Sequence, residues 1–261
     1  MFCNSIIPVI IPYFKEKEKL KKCISSIEKS TYKNTNIFIR DNSENNILYT
    51  AAINEGIEKF ITEKNIEYIL ILNQDAYLHS NALTHLIETM ESEPLCGIAC
   101  PIQINELKKI TWAGGLNSFP FGKHNKPELG SIKNNFETFW ANGAAMMLRV
   151  KMIREIGMFD KNMKFICSDA DYSFTARSRG WKIIVTHDAF VNHSLSSSAG
   201  IDNLWLDKIK YEDTIYFSNK WLNGDLYKEL SYEGKNLSRI EIRSTLDKLY
   251  KELDYITKNL I

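Results

Sequence analysis

The stretch Tyr68-Ile-Leu-Ile-Leu-Asn-Gln-Asp75 constrains this chain more than any other. Its five leading residues read as a buried strand, and that strand runs straight into two amides and a carboxylate. Polar groups at the carboxyl end of a strand lie where open α/β sheets bind their ligands. One carboxylate there, with the sheet excluding water behind it, suits a divalent metal carrying a diphosphate. The same residues can equally be a strand followed by a helix cap, because Ala76 to Asn81 soon enters another helical pattern. A second acidic cluster, Ser168-Asp169-Ala170-Asp171, follows about 95 residues later and adds weight to the ligand-binding reading.

Strand and helix signals alternate on either side of this stretch. Ile6 to Pro12 is apolar and β-branched, and Lys17 to Lys29 places Leu20, Ile24 and Ile27 on one helical face. A strand at Asn36–Arg40 ends at Asp41-Asn42-Ser43; a helix over Ile47–Ile61 leads back to Tyr68–Leu72. A helix over Asn81–Glu91 and a short strand at Gly97–Cys100 follow. This alternation predicts an α/β fold, a Rossmann-like, mostly parallel sheet with helices on both faces. Residues 101–139 carry scattered Gly and Pro with little periodicity, and so long a stretch is more often functional than filler. A strand at Ala144–Val150, a helix at Lys151–Ile156, a helix ending near Arg179 and a strand at Lys182–Thr186 complete residues 1–200, the expected catalytic domain.

Residues 201–261 are expected to form a C-terminal helical extension. Its last helix, about Leu237 to Leu260, spaces Ile242, Leu246, Leu249, Leu253, Ile256 and Leu260 in a four-three rhythm. Such a stripe must be buried against something. Self-association into a homodimer or docking to a partner is expected, with packing back onto the catalytic domain as the alternative. A membrane surface, met by Lys235, Arg239, Arg243 and Lys248, ranks last because acidic residues dilute the charge.

Lys plus Arg number 33 against 32 Asp plus Glu, a net charge of +1 that gives no footprint for nucleic acid. The five cysteines have no regular framework and no paired zinc spacing, so they read as small apolar residues in a reducing compartment. No signal peptide is evident, and no run approaches the roughly 20 apolar residues of a spanning helix. A cytoplasmic protein is expected, with peripheral contact at a membrane left open.

In a doubly wound sheet the strand ends Pro12-Tyr13-Phe14, Asp41-Asn42-Ser43 and Asn73-Gln74-Asp75 would line one crevice. Asp41 can accept from a base N–H there and Tyr13 can stack on a base, although Asp41 could instead cap the following turn. Asn54 and Gly56 would lie on the helix facing the same crevice.

Taken in order, these fragments resemble the family 2 glycosyltransferases of the GT-A fold over about residues 5–200. An apolar strand into Pro-Tyr is followed by Asp41-Asn42-Ser43, Asn54-x-Gly56, Leu72-Asn73-Gln74-Asp75 and Trp140-x-Asn142-Gly143-Ala144-Ala145. Then come Ile156-Gly157-x-Phe159-Asp160, Ser168-Asp169-Ala170-Asp171, Gly180-Trp181-Lys182 and Val191-Asn192-His193. The pattern is most similar to the bacterial rhamnosyltransferase-like branch. The resemblance implies that Asp41 binds the nucleobase beside Pro12 and Tyr13, and that Asp75 holds Mn2+ or Mg2+. It implies that His193 is a further metal ligand or reaches the diphosphate, that Asp169 is the catalytic base, and that Asp171 assists by binding acceptor hydroxyls. Trp140, Asn142 and Gly143 would shape the sugar and acceptor pocket. The sequence departs from the pattern at three points. Asn73 stands where many relatives carry the first Asp of Asp-x-Asp, Ser168 replaces a Glu, and Thr175 replaces an Arg that Arg177 could substitute.

The function so implied is inverting transfer of a sugar from a nucleotide-diphosphate sugar to a hydroxyl of a glycan or lipid-linked glycan. Asp41 favours a UDP- or dTDP-sugar, although a carboxylate also pairs with guanine. Two rivals stand beside it. A sugar nucleotidyltransferase would need a Gly-rich loop after the first strand, and Pro12-Tyr-Phe-Lys-Glu-Lys17 has no glycine. A non-catalytic binding module that kept the fold is sustained by Asn73 and Ser168.

Overall fold

The computed structural model describes residues 5–116, 122–193, 203–222 and 239–260. The chain runs β1 (Ile7–Tyr13), α1 (Lys17–Glu28), β2 (Thr35–Asp41), α2 (Leu48–Phe60), β3 (Tyr68–Leu72), β4 (Ala76–Leu78), α3 (Ala82–Ser92) and β5 (Cys96–Ile104). Four short strands follow: β6 (Ile110–Trp112), β7 (Gly115–Leu116), β8 (Lys123–His124) and β9 (Phe136–Glu137). Then come β10 (Ala145–Arg149), α4 (Val150–Ile156), α5 (Ser168–Ser178), β11 (Lys182–His193), α6 (Leu204–Leu222) and α7 (Arg239–Asn259).

The main sheet has nine strands, with β2-β1-β3-β10-β5-β11-β4 as its path. Strands β2, β1, β3, β5 and β11 run one way, and β10 is inserted antiparallel between β3 and β5. The fold is therefore the mixed α/β architecture with a mostly parallel sheet that the alternation predicted. The period of two divides each central strand between two cores. Ile69 and Ile71 point to the side of α2, α4 and α5, whereas Tyr68, Leu70 and Leu72 point to the side of α1 and α3. All five are buried, and each aliphatic side chain contributes about 1.5–3 kcal/mol by leaving water.

Helix α2 sits so close to β1 that a Cβ at Gly56 would lie 2.5 Å from the Ile10 side chain. A mid-helix glycine costs about 1 kcal/mol relative to alanine, and close approach is what it permits here. Residues 101–139, expected to be largely irregular, instead extend β5 to Ile104 and form β6 to β9 among the described residues. Strand β11 likewise runs past Thr186 to His193, through a register shift between Thr186 and Phe190.

Helix α6 is tied to the sheet domain through Asp213 and Trp221, and α7 packs along α6. Leu249 and Ile256 of α7 are buried, and Asn219 of α6 donates to the Tyr250 hydroxyl at 3.1 Å. Lys235 and residues 194–200 lie outside the described residues. No helix among the described residues is long and apolar enough to cross a membrane.

Candidate active site

Four hydrogen bonds draw the ends of β1, β2 and β3 into one crevice. The Asn42 amide donates to the Tyr13 carbonyl at 2.8 Å, and the Lys15 amide donates to the Ser43 hydroxyl at 3.1 Å. Gln74 clamps the third strand end to the first. Its Oε1 accepts from the Phe14 amide at 2.7 Å and its Nε2 donates to the Phe14 carbonyl at 3.1 Å. Pro12 and Tyr13 are half-buried, and Phe14 and Asp41 are exposed. Asp41 accepts from the Ser43 amide at 2.8 Å, so it caps its turn. The Ser43 hydroxyl and amide hold its carboxyl below the usual range, and it faces solvent as an anion. Asn42 is buried and its Oδ1 accepts from the Ile47 amide at 3.4 Å, which shapes the approach to α2.

Asp75 precedes β4, whose first residue Ala76 pairs with His193 at the end of β11. That register brings His193 Nε2 to 3.6 Å from Asp75 Oδ1. His193 is buried, and its Nδ1 lies 2.9 Å from Oε1 of buried Gln103. An amide oxygen only accepts, so Nδ1 carries the proton and Nε2 turns its lone pair toward the carboxylate. Burial pushes the His193 pKa down and Asp75 pulls it up. A lone pair and a carboxylate oxygen at this separation repel unless a cation or a proton lies between them. This donor pair, with the ring fixed by an amide behind it, fits a divalent ion. Among the described residues no cluster of three or more metal-binding side chains exists, and Asp75 and His193 are two side chains that could share an ion. Asn73 is placed beside them, with its amide donating to the Ala144 carbonyl at 2.8 Å, and its buried Oδ1 has no hydrogen-bond partner. A buried acceptor left open is costly, and a ligand hydroxyl would satisfy it.

Asp169 opens α5 and is tied to the loop before β10. Its Oδ2 accepts from the Gly143 amide and its Oδ1 from the Ala170 amide, both at 2.8 Å. The Tyr49 hydroxyl donates to the Gly143 carbonyl at 2.7 Å, fixing the next peptide unit on the other side of the same residue. A Cβ at Gly143 would stand 2.5 Å from that hydroxyl and 3.3 Å from Asp169 Oδ2, so only glycine lets the three groups meet. Burial pushes the Asp169 pKa up, partly offset by the Gly143 and Ala170 amides. Asn142 caps its own turn, with Oδ1 accepting from the Ala144 amide at 3.0 Å. Trp140 is buried beneath the β7–β8 hairpin and its Nε1 donates to the Leu116 carbonyl at 3.1 Å.

Four of the residues named from the sequence, Asp171, Asn54, Gly56 and Arg177, make packing or anchoring contacts. Asp171, expected to bind acceptor hydroxyls, is buried and lies 2.8 Å from the Lys220 ammonium and 2.7 Å from the Trp221 Nε1. Lys220 also pairs with Asp160 at 2.9 Å, so Asp171 anchors α6 instead of facing the crevice. Asn54 is buried, and its amide exchanges two hydrogen bonds with the Phe159 backbone at 2.9 and 3.1 Å. It staples α2 to the segment before Asp160, and Gly56 serves the packing on Ile10. Arg177, the candidate substitute for the missing arginine, donates to the Thr138 carbonyl at 2.8 Å and stacks on Phe139.

Tyr49, Gln103 and Asp213 are the residues that sequence reasoning missed, as was the clamp that Gln74 makes on Phe14. Asp213 of α6 is buried and accepts from the backbone amides of Lys164, Phe165 and Ile166 at 2.9, 2.7 and 2.9 Å. It thereby holds the loop that feeds Cys167, whose φ of 65° turns the chain into α5.

The comparisons with known proteins follow this geometry. No curated protein matches the sequence. Among solved structures, the crystal structure of GalNAc-T7 with UDP, GalNAc and Mn2+ is similar at a TM-score of 0.59 and 13% identity. The alignment covers 98% of this chain and 58% of that one, so the chain spans little over half that structure's length. The sequence profile described as "Glycosyl transferase family group 2" matches residues 68–243, which hold β3, Asp75, Asp169, His193 and α6. The chain belongs to glycosyl transferase family group 2.

Proposed function

We propose that the protein is an inverting glycosyltransferase that moves a sugar from a nucleotide-diphosphate sugar to a hydroxyl of a glycan acceptor. The observation that carries this reading is the Asp169 carboxylate, pinned by two backbone amides, with a pKa raised by burial and paired to no Lys or Arg among the described residues. A carboxylate so placed takes a proton in the transition state, a contribution of about 10²–10⁴-fold. In a single displacement Asp169 removes the acceptor's hydroxyl proton as that oxygen attacks the anomeric carbon and the nucleotide diphosphate leaves. Asp75 and His193 would hold Mn2+ or Mg2+, which supplies positive charge to the leaving diphosphate. Gln103 keeps His193 in the tautomer that binding needs. Asn73 Oδ1 would accept from a ligand hydroxyl, and Tyr13 and Asp41 would meet the base of a UDP- or dTDP-sugar. UDP and Mn2+ in the similar structure support the nucleotide and metal parts. The rhamnosyltransferase-like branch rests on the motif pattern alone.

Asp169→Asn tests the reading. It is expected to abolish sugar transfer while nucleotide binding, followed by thermal shift with UDP, dTDP or GDP and Mn2+, stays largely intact. Near-normal transfer by this variant would remove Asp169 as the base, and stabilisation by GDP alone would overturn the pyrimidine preference.

A further inference from the structure

One imidazole outside the groups assigned above is linked both to His193 and to the segment that pins Asp169: that of His124 on β8. The hairpin puts it there. Gly115 pairs with His124 across β7 and β8, and the imidazole packs on the Trp140 ring at 5.5 Å between centroids. Its Nδ1 lies 3.3 Å from the Thr111 carbonyl, and the Thr111 hydroxyl donates to the His193 carbonyl at 3.2 Å. A carbonyl only accepts, so Nδ1 carries the proton and Nε2 offers a lone pair. The ring is half-buried, so that lone pair is not fully removed from a ligand's reach.

The chemistry of Nε2 narrows what it can meet. An acceptor repels phosphate oxygens, so it does not bind the diphosphate. Among the described residues it forms no cluster with Asp75 and His193 that could hold a metal, so it is not a third ligand. A hydroxyl fits it. In a single displacement the transferred ring lies between the attacking oxygen at Asp169 and the leaving diphosphate at Asp75 and His193. His124 bonds to Thr111, which in turn bonds to His193, and it packs on Trp140, three residues before the Gly143 that pins Asp169, so it stands between the two ends. We infer that His124 is a specificity-determining residue, whose Nε2 accepts a hydrogen bond from a hydroxyl of the transferred sugar above the Trp140 indole. This rests on the reading of the chain as a nucleotide-sugar transferase.

The test is calorimetric binding in Mn2+ without acceptor, which excludes acceptor hydroxyls from the signal. UDP is compared with UDP-glucose, UDP-galactose and UDP-N-acetylglucosamine, and dTDP with dTDP-rhamnose. Wild type is expected to bind one of these sugars more tightly than its bare nucleotide. His124→Phe keeps a ring on Trp140 but has no nitrogen; it should lose that preference by about 3–10-fold, the reach of one hydrogen bond, with bare-nucleotide affinity unchanged. His124→Gln, which carries an acceptor oxygen, should retain most of it. The reverse order, with Phe tolerated and Gln not, means that His124 only packs against Trp140, and it overturns the inference. Failure of wild type to bind any of the nucleotides would instead bring down the transferase reading, and this inference with it.

Discussion

Replacing Asp213 with alanine tests whether Asp169, the proposed base, is positioned from α6. The carboxylate is fully buried and is the acceptor for three consecutive amides of the loop that leads to Asp169. Hydrogen bonds to a charged group are worth about 1.5–3 kcal/mol each, and an orphaned buried donor costs about 1–3 kcal/mol. The three losses are not additive, because water can enter the space a truncated side chain leaves and rescue part of them. A net loss of about 3 kcal/mol follows, near the upper end for one substitution. For a chain of this size that lowers Tm by roughly 6–12 °C. Asp213→Asn keeps one acceptor oxygen, which can serve Phe165 and Ile166 together, and should lose about half as much. Since the loop sets where Asp169 stands, kcat for transfer should fall by at least about tenfold, as small misplacements of reacting groups do. The nucleotide's affinity should hold, because Asp41, Asp75 and His193 are carried by other elements. Differential scanning calorimetry and steady-state kinetics on both variants supply the readouts. A Tm within 2 °C of wild type, an estimate of measurement scatter against the shift expected here, together with an unchanged kcat would refute the argument.

Gln103→Ala removes the group that fixes the His193 tautomer, and Mn2+ affinity in the presence of nucleotide should weaken by about 10–100-fold with little change in fold. The acidic limb of kcat/KM should follow Asp169. Burial raises its pKa, so activity is lost as pH falls through a value above the ordinary carboxylate range, and a pH–rate profile with no such limb would count against the base. Asp171→Asn breaks the pair with Lys220 and should cost about 2 kcal/mol, less than the ~3–5 of a fully buried pair because Lys220 is partly solvated and keeps Asp160. Its effect should appear in the melting curve before it appears in nucleotide binding.

The sheet and the crevice were legible because their signals are local. Apolar strands of fixed length end in Pro12-Tyr13, Asp41-Asn42 and Asn73-Gln74-Asp75, and a strand end announces itself by the change to polar residues. Direction is not so encoded. Ala145–Arg149 reads the same way up or down, and its antiparallel place between β3 and β5 is set by where β5 and α4 leave the chain. Strand β4 has three residues, too few for a period to show. Gln103 did leave a trace, as a lone amide inside the apolar run Ala99 to Ile104, but a trace without a partner names no role. Asp171 looked like a functional carboxylate because its neighbour Asp169 does; its partners Lys220 and Trp221 lie about 50 residues further along. Tyr49 and Asp213 act on backbone groups, which no residue pattern reveals.

The grip of α6 on the Asp169 loop also orders events during synthesis. Chains fold from the amino terminus as they emerge, so the strands that carry Asp41, Asp75 and their crevice can assemble while α6 is still inside the ribosome. Lys164 to Ile166 have no acceptor for their amides until Asp213 arrives, and Asp171 has no counter-charge until Lys220 does. The ends of β1, β2 and β3 can therefore be complete before the Asp169 carboxylate is fixed. On the proposed reading, a nascent chain gains its placed base only when nearly all of its matched family region has been translated.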